Sequence, residues 1–233
     1  MHCKYLLFFC LMVSPFFSRA QSNITNQRLF DTIPFIPEHY PQRIAIFEKE
    51  PFATGKIIFL GNSITEVGKW DKLLGDSTVV NRGISGDITF GVLKRLDDII
   101  RRQPSKLFLL IGINDIGKDI PDAVIADNIR KIIQRIQNES SSTIIYLESI
   151  LPVNPDIKGF PQHYDKNPHI ISTNALLKNV ASETKVIFID TYTFFCDEHK
   201  KLKKEYTPEG LHINPTGYEA WAKFLKENHD VEP

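Results

Sequence analysis

Beyond about residue 55 the chain alternates between short apolar runs and longer stretches whose apolar residues recur at helical spacing. Lys56 to Leu60, Thr78 to Asn81, Leu107 to Ile111, Thr143 to Leu147 and Val186 to Ile189 are rich in Ile, Val, Leu and Phe and too short for helices. Strands covered on both faces read this way. Between them, Ile88 to Arg102, Pro121 to Asn138, Asn167 to Thr184 and Pro215 to Asn228 have helical periodicity, and Pro121 and Pro215 sit where a first helical turn tolerates proline. Such alternation implies parallel strands joined by helical crossovers. The pattern therefore predicts an α/β protein: a three-layer α/β/α sandwich on a five-stranded parallel sheet, with its site beyond the carboxyl ends of the strands.

The N-terminus follows another pattern. Lys4, the apolar run Tyr5 to Phe17 and the small residues Ser18 and Ala20 read as a cleavable export signal over residues 1–20; the run is shorter than the ~20 apolar residues a membrane span needs. A secreted or periplasmic protein without stable membrane insertion is the expectation. Residues 21–54, with Pro34, Pro37, Pro41 and Pro51, read as a leader that wraps the domain and holds a short helix at Arg43 to Glu50; residues 55–233 read as one domain. Asn23-Ile24-Thr25 matches a glycosylation acceptor, though a motif this short is expected by chance.

Composition narrows the functions. Lys plus Arg and Asp plus Glu number 28 each, which leaves no basic surplus to draw the protein onto nucleic acid. With Cys3 and Cys10 inside the signal, only Cys196 remains, which excludes an internal disulfide and reads as a packed thiol. The histidines show no metal-ligand spacing, so neither metal nor other cofactor is expected.

Polar residues cluster where the strands end. Gly61-Asn62-Ser63 follows the first, placing a serine where it is either a nucleophile or a helix N-cap. A phosphate loop fails here, because six residues rather than four separate Gly61 from Gly68, and Trp70 follows Lys69 where Ser or Thr is required. The second strand leads into Asn81-Arg82-Gly83-Ile84-Ser85-Gly86-Asp87, a glycine turn able to bring a backbone amide close to a ligand, and the third into Gly112-Ile113-Asn114-Asp115. Ahead of the last helix, Glu209 stands three residues before His212, which suits a base and its orienting carboxylate; Asp190 is the alternative orienter. The proline-rich segment Leu151 to Pro168 brings Phe160, His163 and Tyr164 as substrate-loop candidates.

These four blocks, in this order, resemble the SGNH hydrolases, also called GDSL esterases, over about Lys56 to the C-terminus, and most resemble the branch of platelet-activating-factor acetylhydrolase subunits and bacterial carbohydrate O-acetylesterases. The resemblance implies a flavodoxin-like SGNH hydrolase fold and a carboxylic ester hydrolase. It implies Ser63 as nucleophile, His212 as base, and an oxyanion hole of the Ser63 and Gly83 amides with the Asn114 side chain. Asn62 and Glu209 depart from the family's usual Asp at each position, and Glu209 is expected to serve as the third member. The expected substrate is a small acyl ester, an acetyl ester above all, on a glycan such as an O-acetylated sialic acid or a polysaccharide unit. The alternatives are a lysophospholipase or acetylhydrolase acting on lipid, and a carbohydrate-binding domain that has lost turnover.

Overall fold

The computed structural model describes residues 37–229 and Val231. The expected export signal and residues 21–36 of the leader, Asn23 among them, lie outside the described residues. Five parallel strands form one sheet: β1 (Ile57–Gly61), β2 (Val80–Gly83), β3 (Lys106–Leu110), β4 (Ile144–Glu148) and β5 (Ile187–Ile189), in the order β2-β1-β3-β4-β5. β1 and β3 lie at the centre and are buried along their whole length, which is why both read as unbroken apolar runs.

Register aligns one side chain from each of three strands. Phe59 of β1 pairs with Phe108 of β3, and Phe108 with Tyr146 of β4, so their rings stack at 4.7 and 4.5 Å. Trp70, from α3 (Trp70–Leu74), continues the stack onto Phe59 at 4.1 Å, and Trp221 of the C-terminal helix Pro215–Asn228 meets Trp70 edge-on at 5.0 Å. This aromatic layer fills one face. Over the other pack α4 (Thr89–Lys94), α5 (Leu96–Arg101), α7 (Asp122–Glu139) and α8 (Asn167–Thr184), with Ile125, Ile129, Ile132, Ile133 and Ile136 of α7 buried at helical spacing. The three-layer α/β/α sandwich is thus present.

Three elements differ most from expectation. The single helix expected over Ile88 to Arg102 is two, α4 and α5, broken at Arg95. The Arg95 guanidinium turns inward to Asp87 Oδ2, the Arg82 carbonyl and the Gly61 carbonyl, at 2.9, 2.7 and 2.9 Å. Strand β2 starts two residues later than Thr78, because Asp76 holds Thr78 in a turn by accepting from its N–H and hydroxyl at 2.8 and 3.0 Å. Three further helices of five residues, too short to show periodicity, are α2 (Ser63–Val67), α6 (Ile113–Gly117) and α9 (Thr191–Phe195); α1 (Tyr40–Lys49) and the C-terminal helix, α10, complete the domain. Helix α1 begins three residues before Arg43, with Pro41 in its first turn.

Candidate active site

The serine after β1 is not the helix cap. Asn62 caps α2, its Oδ1 accepting from the Ile64 N–H at 3.0 Å, and is 1% exposed. An Asn caps as well as an Asp does. Ser63 is therefore the first residue of α2, its hydroxyl free of capping and 3.0 Å from His212 Nε2.

His212 lies just ahead of α10, whose own cap is Asn214. Glu209 Oε1 accepts both the His212 backbone N–H, at 2.7 Å, and its Nδ1, at 2.6 Å. With Nδ1 carrying the proton, Nε2 presents its lone pair to Ser63, the arrangement in which an imidazole can take a hydroxyl proton. Asp190, the alternative orienter, instead caps α9 through the Thr193 N–H and hydroxyl at 3.0 and 2.7 Å. The loop bearing Glu209 is braced by Asn154, whose N–H donates to the Gly210 carbonyl at 2.8 Å, and Phe160 meets the His212 ring edge-on at 5.0 Å.

Of the expected oxyanion donors, the Ser63 N–H opens a helix and so has no intrahelical acceptor. Asn114 is held by one amide hydrogen bond to the Asp87 carbonyl at 3.0 Å, which leaves its other N–H available. Gly83 is not brought to the site. It ends β2 in register with Gly61, is buried, and gives its N–H to Asn81 Oδ1 at 2.8 Å. Its glycine character serves packing, since a Cβ there would stand 2.2 Å from the Glu66 backbone nitrogen. The glycine that lines the cleft is Gly86, in the turn beyond the strand at φ +78°, and among the described residues its N–H has no acceptor. Only the distance past the strand end distinguishes the two glycines in the sequence.

Residues 59–220 match the GDSL-like Lipase/Acylhydrolase family. The chain belongs to that family. This acylhydrolase is 26% identical to an arylesterase of Vibrio mimicus over 191 residues, which are 75% of this chain and 88% of that protein. It also resembles a Streptococcus pneumonia structure provisionally assigned as a platelet activating factor, at 32% identity and TM-score 0.73 over 90% of this chain and 98% of that one. An acetylxylan esterase of Geobacillus stearothermophilus shares the fold at 21% identity and TM-score 0.60, over 76% and 96% of the two chains. The acylhydrolase is a carboxylic ester hydrolase, and among the described residues no helix is long and apolar enough to cross a membrane.

Its cleft, of about 380 Å³, takes in Ser63, His212, Gly86 and Asn114. Phe160 and Leu211 supply apolar wall; Ser85, Lys118 and Gln162 supply polar groups that the sequence did not single out. His163 also lines it, with both ring nitrogens buried and its pKa lowered by burial. Tyr164 does not reach the cleft and borders a narrower space beside Glu209.

Buried carboxyls support the turns around the cleft. Burial pushes Asp87 up to about 6 against the charge of Arg95, and Asp115 up to about 7 although Thr89 donates to it from both N–H and hydroxyl. Through their hydrogen bonds to Thr89 and Arg95, Asp115 and Asp87 anchor the segments that carry Asn114 and Gly86.

Proposed function

We propose that Ser63 is the nucleophile, His212 the general base and Glu209 the group that orients it, in a secreted enzyme that removes short acyl groups, chiefly acetyl, from carbohydrate. The observation that carries this reading is the continuous chain from Ser63 Oγ to His212 Nε2 at 3.0 Å and from His212 Nδ1 to Glu209 Oε1 at 2.6 Å. Ser63 Oγ attacks the ester carbonyl as Nε2 takes its proton. Negative charge then builds on the carbonyl oxygen, where the Ser63 and Gly86 amides and the Asn114 side-chain amide are the donors within the cleft; Gly86 takes the place that Gly83 was expected to fill. Each such donor is worth ~3 kcal/mol of barrier. His212 returns the proton to the leaving alcohol, and water, activated by the same imidazole, releases the acyl group from Ser63.

The apolar side chains lining the cleft, Phe160 and Leu211, offer wall for a small acyl group, while Ser85, Lys118 and Gln162 suit a hydroxylated alcohol. The acetylxylan esterase among the structural neighbours points the same way. The test compares hydrolysis of p-nitrophenyl acetate and p-nitrophenyl octanoate by wild type and Ser63→Ala, with fluorophosphonate labelling of the intact protein. Acetate preference, labelling at Ser63 and an inactive alanine variant are expected. Octanoate preference refutes the short-acyl reading, and an active alanine variant refutes the nucleophile.

A further inference from the structure

We propose that α1, which precedes the family-matched segment, is a working part of the active site, and that Arg43 is a positioning residue acting through Glu66 on the turn that presents the Gly86 amide. The inference rests on the role given above to Gly86.

Glu66 belongs to α2, one turn after Ser63. Its Oε2 accepts from both the N–H and the hydroxyl of Ser85, at 2.5 and 2.7 Å, so one carboxylate ties the nucleophile's helix to the residue immediately before Gly86. The carboxylate is in turn held from α1. Arg43 Nε forms an ion pair with Glu66 Oε1 at 3.1 Å, and Arg43 Nη2 donates to the Gly83 carbonyl at 3.2 Å, at the near end of the same turn. His39 Nε2 lies 3.4 Å from Glu66 Oε2, and the Tyr40 hydroxyl donates to the Gly91 carbonyl at 3.2 Å. Pro37 packs on Gly86 itself: its Cγ is 3.1 Å from where a Cβ of Gly86 would stand.

A glycine at φ +78° has more backbone freedom than any other residue, yet an oxyanion donor acts only if it is already aimed when charge develops. Gly86 is limited on one side by Asp87, fixed by Arg95. On the other it depends on Ser85, which Glu66 and Arg43 hold. Arg43 and Glu66 are about one-fifth exposed, so the link is partly shielded from water rather than a fully solvated surface pair.

The experiment measures kcat and KM for p-nitrophenyl acetate, and Kd for an alkyl boronic acid that mimics the tetrahedral intermediate, in Arg43→Met, Glu66→Gln and the double variant. Arg43→Met is expected to lower kcat about tenfold, short of the ~10²–10³ lost when a donor is removed outright, with KM unchanged and boronate affinity weakened by the same factor. The double variant is expected to lose no more than the worse single one, because both residues act along one path. Arg43→Lys, which keeps the ion pair, should recover most of the rate. Wild-type kcat in Arg43→Met, or a loss confined to Tm, overturns the proposal. Should boronate affinity hold while kcat falls, Arg43 does not act on the oxyanion turn. Failure of the catalytic reading itself is separately visible, since Ser63→Ala would then retain activity.

Discussion

Replacing Glu209 by Gln removes a charge and leaves the shape. Oε1 accepts from two donors at once, the His212 N–H at 2.7 Å and Nδ1 at 2.6 Å. In the variant a side-chain carbonyl can satisfy both, whereas the reversed amide would set its NH2 against two donors. The backbone N–H of His212 thus selects the orientation that also keeps the proton on Nδ1, and the productive tautomer survives. What is lost is charge facing the imidazolium that forms as Ser63 gives up its proton. Hydrogen bonds to charged groups are worth ~1.5–3 kcal/mol and neutral ones ~0.5–1.5, a difference of about 1–2 kcal/mol. At 1.36 kcal/mol per decade that is a fall in kcat of roughly 5- to 30-fold. Initial rates on p-nitrophenyl acetate for wild type, Glu209→Gln and Ser63→Ala make the comparison. A loss as deep as that of Ser63→Ala refutes the argument, because it would mean the tautomer is not held; a loss under about twofold refutes Glu209 as the orienting group.

Three further perturbations test other parts of the molecule. Glu148, fully buried with the Trp221 N–H donating to it at 3.0 Å, is pushed up to about 8 by burial. Between the ordinary carboxylate range and that value the folded state keeps a proton the unfolded chain has released, so stability falls as pH rises through the window, by up to about 4 kcal/mol; Tm of Glu148→Gln should therefore drop less than wild type from pH 5 to pH 8, and parallel curves would refute this. Arg95→Met leaves Asp87 buried without its cation and should cost about 3–5 kcal/mol in urea unfolding at neutral pH, with partial relief in acid as Asp87 protonates. Lys118, a cleft-lining ammonium with no ion-pair partner among the described residues, should favour esters that carry a carboxylate; Lys118→Glu is expected to lower kcat/KM for such an ester against a neutral one by about fivefold, in a salt-dependent way, and an unchanged ratio would count against it.

The fold was legible where burial is two-sided. The apolar runs of β1 and β3 are continuous because no face meets water, and α7 shows its period because one stripe meets the sheet. It was less legible where a long-range contact overrides a local pattern: Arg95 breaks a helix whose apolar spacing runs on unbroken, because its guanidinium is needed at carbonyls of two strands. The same division runs through the site. Ser63, Asn114, Glu209 and His212 could be picked out because they follow strands or precede a helix. Gly86 lost out to Gly83 because both stand in one short motif, and only the register of β2 with β1 shows which is locked in the ladder. Arg43 and Glu66 gave no local signal, being 23 positions apart and joined only in the folded chain.

The wall of the cleft and the support of the proposed base are one piece of chain. Asn154 steadies the loop that holds Glu209, and Phe160, six residues on, lies against His212 while lining the cleft. On the proposed mechanism, substrate preference and turnover in this enzyme are consequently not separate dials. Insertions or exchanges between Asn154 and His163 made to admit a different alcohol will also move the imidazole, so changes of specificity should arrive with a slower acid–base step, until second changes near Gly210 restore the fit.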